Sequence, residues 1–271
     1  MLPLYFQVCM KTRSVRVIRT FRVDKLRVEV LSDNGELGTA SAAAVAGCLQ
    51  RALIKKRIAR LVIGTGNSQL SYTASLLRDH SLPWDRIECF HLDEYVGLGA
   101  GHPASFRRWM RERVASVIHP RAVHYIDGDA SDANAECRRY AALLAAAPID
   151  AVSIGIGENG HIAFNDPPAA DFNDPEPVKV VELDEACKRQ QVGEGHFPDL
   201  ASVPTHAITL TVPTLMKAAN IFCIVPEARK AKAVKNALEG TIGTSCPASI
   251  LRRHSHARLF LDADAAGLLT I

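Results

Sequence analysis

Three short polar segments carry the residue types that chemistry needs. GIGENGHIAFNDP at residues 155–167 places Asn159, His161, Asn165 and Asp166 within eight positions. A histidine beside a carboxylate can be oriented and kept in one tautomer, which suits proton transfer near neutral pH. Gly155, Gly157 and Gly160 let the backbone approach a ligand closely. FHLDEYVGL at 90–98 sets Asp93 and Glu94 side by side. Adjacent side chains on an extended chain point opposite ways, so only one of them can face a given pocket. A carboxylate there can act as general base on a carbon-bound proton next to a carbonyl. GTGNSQ at 64–69 offers Thr65, Asn67 and Ser68 beside Gly64 and Gly66. Where such a turn opens a helix, its N–H groups favour an anion, typically phosphate.

Each segment also has a plainer reading. The first could be a glycine-rich turn with a structural histidine, the second a surface acid, the third a capped strand-to-helix turn. Several better-known devices are missing. No G-K-[ST] follows the GTGNSQ turn, and the third glycine that a dinucleotide fingerprint needs is missing. There is no G-x-S-x-G elbow. His91, His102, His119 and His124 show no metal-binding spacing, so no metal is expected at His161.

The elements that must position these residues follow from periodicity. Apolar or alternating runs predict strands at Leu26–Leu31, 59–64, 87–92, 123–127, 150–157, 207–212, 220–225 and Ala257–Asp262. Helical stretches are predicted at 40–58, after 69, near 104–117, at 130–147 and around KAKAVKNALEG. Strands alternating with helices predict an α/β fold, a mostly parallel sheet with helices on both faces. In such sheets ligands bind beyond the C-terminal strand ends, where all three polar segments emerge. Residues 167–204, rich in Pro, Asp and Gly, read as irregular chain forming a lid or substrate wall.

Composition narrows the class. The chain has 271 residues with 48% hydrophobic and 23% charged, as globular proteins do. A formal charge of +3 is too small to imply nucleic acid or a membrane as partner. The start is basic: Lys11, Arg13, Arg16, Arg19, Arg22, Lys25 and Arg27 with only Asp24 against them. Residues 1–25 thus read as an extension, whether targeting segment, nucleic-acid arm or marginal strand (VRVIRTFRV alternates like one). Residues 26–271 read as one domain. No apolar run is expected to span a membrane. Seven scattered cysteines without a C-x-x-C pair predict free thiols in a reducing cytoplasm.

Taken together, HLDEYVGL with HPASF, and GIGENGHIAFNDP, resemble the glucosamine-6-phosphate deaminase/isomerase family. VPTHAITLTVPTLMKA, ARKAKAVKNALEG and PASIL resemble its later strand–helix pattern. The likeness covers roughly residues 26–262. It implies a Rossmann-like three-layer α/β/α fold and a sugar phosphate as small-molecule partner. The implied reaction converts glucosamine 6-phosphate and water to fructose 6-phosphate and ammonia, with no redox cofactor or catalytic metal. By matching positions, Asp93 would move the proton between C2 and C1. His161 would assist ring opening, flanked by Asn159 and Asp166. Thr65, Gly66, Asn67, Ser68 and Lys230 would hold the phosphate. A homo-oligomer is compatible with the family.

The chain also departs from the pattern. Asp166 stands where the family usually has Glu, one methylene shorter. Asn159 occupies a position that is Asp in some members and Asn in others, and it cannot serve as an acid. An arginine often found before the aromatic–Pro step is missing from GEGHFPDL, with Arg189 the nearest substitute. Two alternatives share the fold: 6-phosphogluconolactonase, which usually continues G-H-T-A-S-L-F-P and carries D-E-R, and a sugar-phosphate sensor domain. Ile162, Phe164, Asn165 and Tyr95 favour the deaminase over the lactonase. Sensors carry a helix-turn-helix domain, for which 25 leading residues are too few.

Overall fold

The computed structural model describes residues 16–271, so Cys9, Met10, Lys11 and Arg13 lie outside the described residues. In chain order it comprises β1 (Val17–Val23), β2 (Leu26–Leu31), α1 (Asn34–Lys55), β3 (Ala59–Ile63), α2 (Leu70–Leu77), β4 (Ile87–His91) and β5 (Asp93–Tyr95). Then come α3 (Phe106–Met110), α4 (Ser116–Ile118), β6 (Ala122–His124), α5 (Ala133–Ala145), β7 (Ala151–Ile154), β8 (Val178–Glu182) and α6 (Glu185–Gly193). The chain closes with β9 (His206–Leu210), α7 (Val212–Met216), β10 (Ile221–Val225), α8 (Ala231–Glu239) and β11 (Ala257–Asp262).

Eight strands form the main sheet in the order β1-β2-β11-β10-β7-β3-β4-β6. Only β1 with β2 is antiparallel; the other pairings are parallel. All five residues of β3 are buried, as a central strand covered on both faces requires. Alternation divides its side chains between two cores. Leu61 and Ile63 pack with Leu37, Val45 and Leu49 of α1 and Tyr72 and Leu76 of α2. Val62 faces the opposite core, with Tyr140 of α5 and Val234 and Leu238 of α8. Three α/β/α layers result.

The α1 helix begins at residue 34, before the predicted 40, because Asp33 accepts from the Glu36 N–H and caps the first turn. By length and composition α1 is apolar enough to cross a membrane, contrary to the sequence expectation. In the fold, Leu37, Ser41, Val45, Cys48 and Leu49 form a buried stripe against the sheet. The basic start also joins the sheet. Val17–Val23 pairs with β2, and Phe21 and Val23 pack against the core while Arg19 and Arg22 remain exposed, Arg19 lying over the Phe21 ring. Cys48, Cys89, Cys137, Cys187, Cys223 and Cys246 are buried free thiols.

Residues 167–204 are not irregular throughout, which corrects the prediction. VKVVE forms β8, and Glu185–Gly193 forms α6. The five-residue strand was masked by flanking Pro and Asp. The helix is mostly polar, so its period is faint. β8 pairs with β9, and β9 with β5, in a small antiparallel sheet separate from the main one. AITLTV is therefore a strand of this second sheet. It matters because it anchors Asp93.

Candidate active site

The chain runs outward from β3 to β4 and β6, then returns through β7 to the other side of β3. Ligands in open α/β sheets bind where the winding reverses, here between β3 and β7. One cleft at these strand ends is lined by Thr65, Gly66, Asn67 and Ser68 after β3, Asp93 after β4, Gly157 and His161 after β7, and Lys230 after β10. The polar segments thus meet, as their strand-end positions predict. Asn159 and Asp166 stand behind His161 and not on the cleft wall.

Asp93 opens β5, where its backbone pairs with Thr209. Its carboxylate lines the cleft, yet the residue is only 7% exposed. Burial first, then the charge of Glu94, pushes its pKa well above the ordinary carboxylate value. Glu94 points the other way, as alternation requires. It accepts from Ser105 Oγ and Arg107 N at 2.7 Å, from Tyr95 N at 2.9 Å and from Phe106 N at 3.2 Å. Glu94 therefore ties β5 to the first turn of α3 and keeps Asp93 turned into the cleft.

His91 was considered in the sequence only as a metal partner. Its place is structural: Nδ1 lies 2.8 Å from the Asp93 carbonyl, and Ile126 N donates to Nε2 at 2.8 Å. These contacts require Nδ1–H and a bare Nε2, hence a neutral ring. Burial pushes its pKa down to about 4, consistent with that tautomer. No local pattern reveals this role, because Ile126 is 35 residues away.

In the same cleft, His161 Nδ1 lies 2.7 Å from Asp166 Oδ1. The contact is short but poorly aligned as a hydrogen bond; catalytic contacts of this kind tighten when substrate binds. The shorter Asp166 side chain still spans the gap to the imidazole. Asn159 Nδ2 donates to Asp166 at 2.9 Å, and Asn159 Oδ1 receives His161 N at 3.1 Å. Burial by itself would raise the pKa of Asp166, but the contact with His161, then Asn159 and the Asp184 N–H, bring it below the ordinary value. Asn159 is thus a donor that holds a carboxylate, which an aspartate could not be. Gly157 is required by close approach: a Cβ there would meet His161 Cε1 at 2.2 Å.

Cys187 Sγ joins His161 and Asp166 within 4.8 Å, the one such trio among the described residues that could hold a metal. Ligand atoms around tetrahedral zinc, with bonds of ~2.0–2.3 Å, stand roughly 3.3 Å apart or more. The 2.7 Å His161–Asp166 contact is too short for that.

At the third side, Gly66 adopts φ +99°, a conformation favouring glycine, and leads into the turn before α2. Lys230 is 2% exposed, so it is not a solvated helix lysine; Val225 ends β10 five residues earlier and sets it against the cleft. Arg189 does not reach the site. It pairs with Glu185 on the exposed side of α6. Gln190, Gln191, Glu194 and His196 line the cleft instead, brought there by α6 and its exit. None of the four stands out in the sequence, because α6 is mostly polar and carries little helical periodicity.

Residues 32–261 match the family described as glucosamine-6-phosphate isomerases/6-phosphogluconolactonase. The chain belongs to this family. It is 38% identical over 208 residues to the glucosamine-6-phosphate deaminases of Bacillus thuringiensis (strain Al Hakam) and Bacillus cereus (strain G9842), covering 77% of this chain and 77% of each relative. A solved family structure, a monomeric glucosamine-6-phosphate deaminase of the NagB superfamily, superposes with TM-score 0.82 at 32% identity, covering 89% of this chain and 99% of that one. The 6-phosphogluconolactonase of Trypanosoma brucei superposes with TM-score 0.73 at 20% identity over 93% of this chain and 100% of that one. At that identity the likeness is one of fold.

Proposed function

We propose that the protein converts glucosamine 6-phosphate and water to fructose 6-phosphate and ammonia, as its deaminase relatives are named for doing. The observation that carries this reading is one cleft lined by both a buried carboxylate, Asp93, and an imidazole, His161, that is backed by Asp166. Isomerising an amino aldose needs two separate proton-transfer tasks. The ring must open, and a proton must move between adjacent carbons.

His161 Nε2 takes the proton from the anomeric hydroxyl and returns it to the ring oxygen, with Asp166 stabilising the transient imidazolium. Asp93 then removes the C2 proton and delivers it to C1. This turns the amino aldehyde into a ketimine through an enolamine. Water adds at C2, and ammonia leaves with the electrons of the C–N bond. A carboxylate whose pKa is raised by burial is a stronger base than one in water, which suits Asp93 to a carbon acid. The phosphate lies across the residue 65–68 turn and Lys230, fixing C1 and C2 at the Asp93 side.

The test is a paired assay on the purified protein. Ammonia release from glucosamine 6-phosphate is expected, with no hydrolysis of 6-phosphogluconolactone. Lactone hydrolysis without ammonia would transfer the protein to the other branch of its family.

A further inference from the structure

The cleft holds an anion of its own where the phosphate is expected. Glu194 lines the same wall as Lys230, and its side chain is 8% exposed against 3% for Lys230. Its Oε1 lies 3.5 Å from Lys230 Nζ and 3.3 Å from Arg229 Nη1, and accepts from Gln190 Nε2 at 2.8 Å. His196 Nε2 stands 3.4 Å from its other oxygen. The backbone is held as well: Asn67, in the proposed phosphate turn, donates from Nδ2 to the Glu194 carbonyl at 3.0 Å. Arg229 is further engaged by Glu227 and by Glu158.

We propose that Glu194 is the specificity-determining residue of the phosphate end: its carboxylate is a resident counter-ion that a sugar phosphate must displace from Lys230 and Arg229. The inference rests on the reading that Lys230 and the 65–68 turn receive phosphate. A separation of 3.5 Å is longer than a charge-assisted hydrogen bond of about 2.8 Å, so Lys230 is neutralised but not locked. A phosphate oxygen within hydrogen-bond reach of Nζ meets the carboxylate across a short, poorly screened gap, and like charges repel there. Glu194 follows α6 directly, so its side chain can turn aside without disturbing the sheet. The consequence is selection. Weak anions are refused, and only a ligand whose sugar is also gripped by the catalytic wall repays the displacement.

The decisive variant is Glu194→Gln, which keeps an oxygen for the Gln190 bond and removes the charge. Inorganic phosphate titrated calorimetrically is expected to bind the variant at least about tenfold more tightly than the unaltered protein. KM for glucosamine 6-phosphate should fall more than kcat changes. Equal or weaker phosphate binding would overturn the proposal, because it would make Glu194 a support that aims Lys230. If Glu194→Gln fails to fold, a phosphate-soaked crystal of the unaltered protein decides. Glu194 withdrawn from Lys230 supports displacement, and an unmoved Glu194 with phosphate bound beside Lys230 refutes it. Tighter phosphate binding without any ammonia from glucosamine 6-phosphate would keep this inference and discard the deaminase reading.

Discussion

Asp93 on the cleft wall and Asp166 behind His161 are both buried, at 7% and 0% exposure, yet their acidities are driven in opposite directions. Among the described residues no donor offsets the loss of water at Asp93, and the charge of Glu94 lies beside it. Asp166 is surrounded by His161, Asn159 and the Asp184 N–H. Burial alone therefore does not make a base. The number of donors aimed at the carboxylate decides whether it is held ready for a proton or kept ionised to orient a neighbour.

The largest effect should come from breaking the first half of that contrast. Asp93→Asn is expected to reduce ammonia release roughly 10²–10⁴-fold, the range for loss of a general base. The same variant should be more stable to heat. Because the pKa of Asp93 is raised in the folded state, the protein loses stability as pH climbs from the unfolded value of about 3.9 through the folded one. The amide escapes that loss. Its melting temperature should match the parent below about pH 4 and exceed it at neutral pH. An Asp93→Asn protein that melts lower at pH 7 would contradict the account of the site.

Asp166→Asn should do the reverse. With its pKa lowered, ionised Asp166 contributes stability above the unfolded value, and that contribution disappears as pH falls through the folded one. The variant should lose about 1–3 kcal/mol at neutral pH, because buried donors lose their acceptor, and differ less from the parent in acid. Activity should fall about a hundredfold, since His161 is no longer held in one tautomer. Denaturant unfolding at pH 7 and pH 3 compares the two states directly.

Gly157→Ala sharpens the contrast most gently. The new methyl would overlap the His161 ring, so the imidazole must shift away from Asp166. A cost of about 1–3 kcal/mol is expected from overpacking. Ammonia release should drop less than in Asp166→Asn, and phosphate affinity should not change. An equal loss of phosphate binding would show that the walls of the cleft are not independent.

Much of this was legible locally. Short apolar runs marked β3, β4 and β7, and the glycine-bearing polar turns after them marked the cleft. Asp93 and Glu94 divided their roles as strand alternation demands. The chain between 167 and 204 was misread because the β8 run is only five residues long and α6 lacks a strong apolar stripe. Hidden with it were Gln190, Gln191, Glu194 and His196, a whole wall of the site.

The sequence by itself determined where the chain could turn sharply, which segments had to be strands, and which side chains left strand ends together. Those properties depend on glycine freedom and on a period of two, both local. Only the tertiary structure decided that Asp93 would receive no donor among the described residues, that His91 would grip its backbone while bonded to Ile126, and that Glu194 would neutralise Lys230, 36 positions further along the chain. Burial and charge pairing are set by which distant segments meet, and nothing in a residue's neighbours along the chain specifies that meeting.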